Sequence, residues 1–324
     1  MRLFATWQRM MTMSAASALV FLLAGCGDGS GGGRQFLSIG TAGTGGIYYP
    51  LGGAIASRLS VADPNRQYTA EVTGGSVENM NRISQGAMDI GFSMATTVYE
   101  AFHGGVGFDE ALSNLRVIAP LYANVVHVVV PDNSPATSVG DFRGKRVSVG
   151  APGSGTEQLA KQLLLAYDIT YEDADIRYLS FRESVNALRD GAIDGAIICV
   201  GYPASSVLEV TTTGVAQLLP MDSAHIAIMS ETYGYYAAGS IPEGTYPRMD
   251  SDVQTVAVMN WLVAQDSLDA SVVTRVLDVL RDDREDLIRV NAMAAQIDLE
   301  VLADAPIPLH AAARGWLEAA AAQR

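Results

Sequence analysis

Two glycine-rich loops, at residues 40–46 and 150–156, constrain the fold most. Each loop follows a short apolar stretch of strand length, residues 36–39 in the first case and 146–149 in the second. Each loop precedes a stretch with apolar residues at helical spacing: Leu51, Ala54, Ile55 and Leu59 after the first, and Leu159, Ala160, Leu163, Leu164 and Tyr167 after the second. Repeated strand–loop–helix units predict an α/β fold with mainly parallel sheets.

A weak internal repeat accompanies the two loops. Gly86-Ala-Met-Asp89 and Gly191-Ala-Ile-Asp194 each follow a helical pattern and precede an apolar run. In both, the glycine is suited to ending a helix before the chain turns into a strand. The glycine loops are 110 residues apart and these turns 105 residues apart. Two lobes of similar build and a chance likeness of βα units both fit this spacing.

The length and the hydrophobic pattern predict two lobes. After an N-terminal leader, about 300 residues remain, which exceeds one typical core. Two long apolar stretches, residues 125–130 and 253–263, are suited to crossing between lobes as a hinge. We expect residues 36–130 with 254–324 to form lobe 1 and residues 131–253 to form lobe 2. The C-terminal part from Val272 onward has a helical pattern and is expected to pack on lobe 1.

The N-terminus has the features of a secretory signal peptide over residues 1–25. Arg2 and Arg9 are followed by an uncharged run that is too short to span a membrane with its flanks. The glycine-rich residues 26–35 are predicted to be a flexible tether. The ending Leu23-Ala-Gly-Cys26 resembles the lipobox of bacterial lipoproteins, which implies that Cys26 is lipidated and holds the protein at a membrane. A signal peptide with a chance cysteine is the alternative.

The charge of the mature chain limits its partners. Removal of residues 1–25 takes away two arginines and no acidic residue, so the formal net charge changes from −14 to −16. Such a surface repels nucleic acid and anionic lipid headgroups, and an anion can bind only where local dipoles attract it. Cys199 lies in an apolar run, residues 195–200, and is predicted to be a buried, inert thiol.

The glycine loops carry the predicted binding chemistry. Glycine lets the backbone approach a ligand closely, and the following helix presents unpaired N–H groups with a partial positive charge. With the hydroxyls of Thr41, Thr44, Ser154 and Thr156, the loops predict a site for a carboxylate or another small anion. Gly46 and Thr156 stand where a phosphate loop has lysine, which argues against a triphosphate. Structural turns without a ligand are the alternative.

Arg182 is a further candidate for the site. It follows a predicted strand over residues 176–179, at a loop expected to face the cleft, where a guanidinium could hold a carboxylate bidentately. A surface arginine, alone or paired with Glu183, is the alternative. The four histidines have no metal-ligand spacing, and no nucleophile–base pair can be assembled. We therefore predict no metal, no cofactor and no catalysis.

Several motifs resemble, in order, those of the TAXI family, the receptors of one class of TRAP transporters. They are the segments 39–50, 73–79, 144–156, 190–194, 241–246 and 307–310. The resemblance implies a periplasmic-binding-protein fold of type II, with a hinge of two crossing strands. It implies a small carboxylate ligand, an amino acid or a dicarboxylate such as glutamate or 2-oxoglutarate. It also implies a membrane permease as the partner, driven by an ion gradient.

The resemblance also implies which residues contact the ligand. One departure is the stretch 92–97, which lacks the Gln and Asp often present there. We expect the protein to be a monomer. The alternative functions are a ligand sensor for a membrane kinase and, less favoured, an envelope hydrolase. Ser93, Arg182 and Tyr202 are predicted to bind the ligand in addition to the motif residues. The whole predicted ligand-binding set is Thr41, Gly43, Thr44, Gly45, Gly46, Tyr48, Ser76, Asn79, Ser93, Gly153, Ser154, Gly155, Thr156, Arg182 and Tyr202.

Overall fold

The computed structural model describes residues 34–322. The predicted signal peptide, most of the predicted tether and Cys26 lie outside the described residues. Within residues 34–322, no helix combines the length and the apolar character needed to cross a membrane.

The chain alternates strands and helices as the two glycine loops predict. The strands are β1 (Gln35–Gly40), β2 (Arg66–Glu71), β3 (Ile90–Met94), β4 (Leu115–Pro131), β5 (Arg146–Ser148), β6 (Asp175–Arg177), β7 (Gly195–Val200), β8 (Ala216–Leu219), β9 (Tyr236–Ile241) and β10 (Val253–Gln265). The helices are α1 (Tyr48–Ala62), α2 (Ser76–Ser84), α3 (Ala95–His103), α4 (Gly155–Ala166), α5 (Phe181–Arg189), α6 (Ser205–Thr212), α7 (Ser223–Tyr233), α8 (Ala270–Asp282), α9 (Arg284–Val290) and α10 (Ala311–Ala322). Short 3₁₀ helices span Val139–Phe142, Ala292–Gln296 and Leu299–Asp304.

One mixed sheet connects all ten strands. Its main path runs β2-β1-β3-β10-β4-β7-β5-β6, with β8 paired to β4 and β9 paired to β10. β1 pairs with β3 in parallel, and β5 pairs in parallel with both β6 and β7. The two central strands, β10 and β4, run antiparallel to each other. β10 also runs antiparallel to β3, and β4 runs antiparallel to β7. Each half of the sheet therefore consists of three strands followed by one antiparallel strand. The predicted α/β fold is confirmed.

The internal repeat corresponds to this doubled arrangement. Gly86 and Gly191 end α2 and α5 with φ of 71° and 65°, a conformation that favours glycine. The aspartate that follows then connects two strands. Asp89 Oδ2 accepts hydrogen bonds from Ser38 N at 2.7 Å and Ser38 Oγ at 3.0 Å. Asp194 Oδ2 accepts from Arg146 N at 2.9 Å, and its Oδ1 from Arg146 Nη2 at 2.7 Å. Each Gly-Ala-x-Asp turn thus fixes the start of a strand against a parallel neighbour.

β4 and β10 form the centre of the sheet and are longer than the sequence predicts. β10 pairs with β3 near its C-terminal end and with β9 near its N-terminal end, while β4 continues past β10 to pair with β7 and β8. These two strands therefore run through both groups of the sheet, as a hinge requires. The division into lobes at residues 130 and 253 stays a prediction, which this path supports.

The C-terminal helices pack beside the N-terminal group of strands. α8 contacts α1, and α10 contacts α8. Arg66, at the start of β2, pairs with Asp269 at 3.0 Å, before α8. Among the described residues from Val272 onward, the only strand-like contact is an isolated bridge from Leu309 to Val117. These contacts place α8 beside α1 and the start of β2, while the assignment of the C-terminal part to lobe 1 stays a prediction.

A buried histidine links the central strand β4 to the segment after β9 and to the start of α6. His127 on β4 is fully buried. Its Nδ1 faces Val125 O at 3.2 Å, and because a carbonyl only accepts, Nδ1 carries the proton. Nε2 therefore accepts from the hydroxyl of Tyr246 at 2.9 Å, which in turn accepts from Ala204 N at 3.0 Å. Burial lowers the pKa of His127 to about 4, so the imidazole is neutral in the folded protein.

We expect acid to destabilise the fold through His127. The unfolded chain takes up a proton at this side chain below about pH 6.5, whereas the folded protein does so only near pH 4. Stability is therefore lost as the pH falls from 6.5 to 4, by roughly 3 kcal/mol from this group. Urea unfolding of the wild type and His127→Gln at several pH values measures this loss. His127→Gln should be less stable than the wild type near neutral pH, but its free energy of unfolding should fall less on acidification. Parallel curves of this free energy against pH for the two proteins would contradict the assignment.

Candidate functional site

A cavity of about 410 Å³ lies where the two glycine loops face each other. It is lined by residues from both ends of the sheet. The lining residues are Ala42, Gly43, Thr44, Gly45, Gly46, Ile47, Tyr48, Val72, Thr73, Gly74, Gly75, Ser76, Met94, Asn124, Ala151, Ser154, Gly155, Thr156, Ser180, Phe181, Arg182, Glu183, Cys199 and Val200.

The first turns of four helices meet at this cavity in two opposed pairs. At the first pair, a Cβ added to Gly45, before α1, would lie 3.4 Å from the backbone N of Arg182 in α5. At the second, a Cβ added to Gly75, before α2, would lie 3.4 Å from Cα of Ser154, the N-cap of α4. Gly75 also has a φ of 122°, a conformation that favours glycine, and a Cβ at Gly45 would lie 3.3 Å from Phe181 Cβ.

Three of these helix ends present unpaired N–H groups to the cavity. Ser154 caps α4 by accepting from Glu157 N at 3.1 Å, and Ser180 caps α5 by accepting from Glu183 N at 3.3 Å. Neither cap uses the first two amides of its helix. Within residues 34–322, the following amides have no acceptor: Ile47, the N-cap residue of α1, and Tyr48 in α1, Gly155 and Thr156 in α4, and Phe181 and Arg182 in α5. Together they form a concentrated positive potential that favours an anion.

The fourth helix end joins the two sides of the cavity instead. The amides of Val77 and Glu78, in the first turn of α2, both donate to Gly153 O at 3.1 Å. On another side, Ser206 Oγ donates to Gly45 O at 3.0 Å, and Thr97 Oγ1 donates to Gln158 Oε1 at 2.8 Å. These contacts connect residues before β4 with residues after it, so direct hydrogen bonds join the two sides of the cavity.

The floor of the cavity is a buried polar network on the central strands. Asn260 Nδ2 donates to Tyr122 O at 2.8 Å, and Asn260 Oδ1 accepts from the hydroxyl of Tyr48 and, at 3.2 Å, from Asn124 Nδ2. Burial raises the pKa of the Tyr48 phenol and of the Cys199 thiol far above their usual values, so both groups are neutral. Cys199 lies beside Met94, with Sγ 3.5 Å from Sδ, and its predicted burial is confirmed.

Most of the predicted ligand-binding residues line the cavity, and five do not. Those that line it are Gly43, Thr44, Gly45, Gly46, Tyr48, Ser76, Ser154, Gly155, Thr156 and Arg182. Those outside the lining are Thr41, Asn79, Ser93, Gly153 and Tyr202.

The residues outside the lining mostly support the loops that form it. Thr41 Oγ1 donates to Glu71 O at 2.6 Å, and Asn79 Nδ2 donates to Thr41 O at 2.8 Å and to Phe92 O at 2.9 Å. Ser93 is fully buried, and its hydroxyl donates to Met94 O at 3.3 Å. Gly153 accepts from the start of α2, and Tyr202 is half-buried away from the cavity.

Arg182 lies in a different local structure from the one predicted. The strand before it ends at Arg177, two residues earlier than expected, because Ser180 and Glu183 form a capping box that starts α5 at Phe181. Arg182 is therefore the second residue of a helix. Its side chain is exposed and makes no ion pair with any of the described residues, including Glu183.

The sequence did not indicate several lining residues. Asn124 lies on β4 within a run of apolar residues, and Met94, Phe181 and Cys199 have ordinary core character. Only the capping pattern Ser180-x-x-Glu183 was a local signal, because it predicts a helix start and hence a further set of amide donors. The other residues reach the cavity through pairing between strands far apart in the chain, which no local pattern reveals.

Comparisons with known proteins agree with this fold. The chain is similar to a periplasmic transporter at 12% identity, over 89% of this chain and 93% of that one, with a TM-score of 0.54. It is similar to a protein of Bordetella bronchiseptica RB50 at 16% identity, over 84% and 80%, with a TM-score of 0.51. The alkanesulfonate-binding protein of Xanthomonas axonopodis pv. citri bound to MOPS matches at 16% identity, over 90% and 92%, with a TM-score of 0.47. At such identities the likenesses concern the fold alone.

The family comparison concerns the sequence. The model of the NMT1-like family matches residues 39–318, a span that contains every residue lining the cavity. The chain thus has the mixed α/β fold of periplasmic binding proteins and belongs to the NMT1-like family.

Proposed function

We propose that this protein is an extracytoplasmic receptor that captures a small carboxylate between two lobes and delivers it to a TRAP-type permease. The observation that carries the proposal is the set of unpaired amides from α1, α4 and α5 around one cavity. Membership in the NMT1-like family and the periplasmic-binding-protein fold support it. The TAXI-like motifs support the choice of a TRAP-type partner.

The electrostatics of the cavity favour an anion although the chain is acidic. Glu183 is the one acidic residue of the lining, and its Oε2 already accepts from Ser180 N at 2.8 Å and Ser180 Oγ at 2.7 Å. Arg182 is the one basic residue of the lining. Helix amides and a guanidinium thus remain for the ligand, and both groups suit the two oxygens of a carboxylate.

The polar groups of the lining support a binding role over catalysis. The lining contains no histidine, and the Ser154 hydroxyl serves as the cap of α4. Cys199 is held as a neutral thiol by its raised pKa. A nucleophile with an adjacent base is therefore missing from the cavity, so we assign no reaction to it.

Calorimetric titration of the mature protein with small mono- and dicarboxylates tests the proposal. We expect saturable binding of at least one carboxylate and a concentration-dependent rise in Tm with it. Methanesulfonate and inorganic phosphate, titrated in parallel, show whether the cavity selects carboxylate among anions. If no carboxylate binds and the Tm does not change, the proposed function is wrong. Ion-gradient-dependent uptake by a TRAP permease in proteoliposomes, with and without the protein, tests the partner.

The proposed membrane anchor gives a separate prediction. Cys26→Ala should fail to incorporate labelled palmitate and should move from the membrane fraction to the soluble fraction. Cys199→Ala is the matched control, since it removes the chain's other cysteine, which is buried. It should keep both the label and the membrane location. Identical fractionation of the wild type and Cys26→Ala, with no label in either, would show that the protein is not a lipoprotein.

A further inference from the structure

Asn124 has an acceptor that nothing in the described residues satisfies. Its side chain lines the cavity and the residue is only 3% exposed. Its Oδ1 is buried and has no hydrogen-bond partner among residues 34–322. A buried acceptor without a donor costs free energy, so such a group on the wall of a binding cavity indicates a partner that arrives with the ligand.

The hydrogen-bond network fixes which atom of the Asn124 amide is unpaired. Tyr122 O can only accept, so the Asn260 atom that faces it at 2.8 Å is Nδ2. Asn260 Oδ1 then faces Asn124, and the Asn124 atom 3.2 Å from it must be the donor Nδ2. The remaining Asn124 atom is the oxygen, so the cavity offers an acceptor here and not a donor.

The charge of the cavity limits what that donor can be. The lining has one carboxylate, that of Glu183, which is exposed and whose Oε2 already accepts from Ser180 N and Ser180 Oγ at the cap of α5. Tyr48 and Cys199 are neutral, and three helix ends add positive potential. An ammonium group beside the buried Asn124 would have only this exposed carboxylate as a counter-charge, whereas an amide N–H or a hydroxyl would not need one.

We propose that the ligand carries a neutral hydrogen-bond donor, an amide N–H or a hydroxyl, that binds Asn124 Oδ1 while its carboxylate binds the helix ends. This inference rests on the proposed function and narrows it. Zwitterionic amino acids become poorer ligands, since the one anion of the lining, Glu183, is exposed and already bound at the cap of α5. A second carboxylate is also a poor partner for Asn124, because it has no proton to donate at neutral pH.

Near-isosteric probes of two lengths test the inference by calorimetry. They are succinamate, levulinate and succinate, and the longer glutaramate, 5-oxohexanoate and glutarate. Within each set the end group is an amide, a methyl ketone or a carboxylate. The amide donates, and the ketone has nearly the same shape but does not. At one of the two lengths we expect the amide to bind at least tenfold more tightly than its ketone, since the ketone leaves Oδ1 unpaired.

Asn124→Leu removes the acceptor and provides the second measurement. In this variant the amide-to-ketone ratio of affinities should fall to about threefold or less, whatever change the loss of the Asn260 contact makes to both affinities. If the variant does not fold, the wild-type ratio decides alone. Equal wild-type affinities for amide and ketone would overturn the inference and leave the proposed function standing. Tighter binding of 5-aminopentanoate than of glutaramate would also overturn it. No binding by any probe would overturn the inference, and the wider carboxylate titration described above would then decide the proposed function.

Discussion

Gly155→Ala should weaken carboxylate binding at least tenfold, about 1.4 kcal/mol, with the fold retained. The structure gives a steric reason. A Cβ at Gly155 would lie 2.4 Å from Met94 Cε, 2.8 Å from Ser76 Oγ and 3.0 Å from Ser76 Cβ. Both neighbours come from the opposite side of the cavity, so the added methyl group opposes its closure. Gly155→Val, with two more methyl groups, should be at least as severe.

Three comparisons isolate this cause. Gly53→Ala is the control, because a Cβ there meets no atom within 4 Å, and its affinity should match the wild type. Met94→Ala combined with Gly155→Ala should recover part of the affinity, since it removes the nearest clashing atom. Small-angle scattering should show ligand-induced compaction in the wild type and less of it in Gly155→Ala. Unchanged calorimetric affinity of Gly155→Ala would show that the contact between Gly155 and Ser76 does not control binding.

The fold was largely predictable because its signals are local. Apolar periodicity after each glycine loop gave α1 and α4, and β-branched runs gave β4 and β10. The two Gly-Ala-x-Asp turns predicted that a helix ends and a strand begins at each of them. Each of these signals depends on residues within a few positions of one another. The length of β4 was underestimated, since the pattern from Leu115 to Asn124 includes Pro120 and polar residues that tertiary burial overrides.

The site was less predictable, since it depends on which side chains point inward after pairing. Thr41, Asn79 and Ser93 belong to the right segments, yet their side-chain donors bind backbone oxygens and they do not line the cavity. Asn124 joins the cavity only because β4 lies between β10 and β7. The charge balance of the cavity likewise depends on Glu183, whose carboxylate accepts a hydrogen bond from Ser180 N at the cap of α5. A strand and a loop were predicted before Arg182, and this cap was not.

Arg182→Ala should reduce dicarboxylate affinity roughly ten- to a hundredfold while affecting monocarboxylates less. Arg182 is the one basic residue in the lining and pairs with no described acid, so its guanidinium is available to a second carboxylate. The side chain is exposed, so solvent screening places the effect below that of a fully buried ion pair. Arg182→Lys keeps the charge but loses bidentate geometry and should give an intermediate affinity. Calorimetric titration of the variants with matched mono- and dicarboxylates measures these differences.

Arg189→Ala is the matched control, since it removes the same charge from the last turn of the same helix. Arg189 already pairs with Glu209 and does not line the cavity, so its loss should leave affinity unchanged. A similar loss in both variants would indicate a general charge effect, which raised salt concentration would reduce. Equal affinities of the wild type and Arg182→Ala for every dicarboxylate would show that Arg182 is only a surface group. The amides of α1, α4 and α5 would then bind the anion alone. Because Asn124 offers an acceptor to the rest of the ligand, the better candidate would be a monocarboxylate with a neutral hydrogen-bond donor.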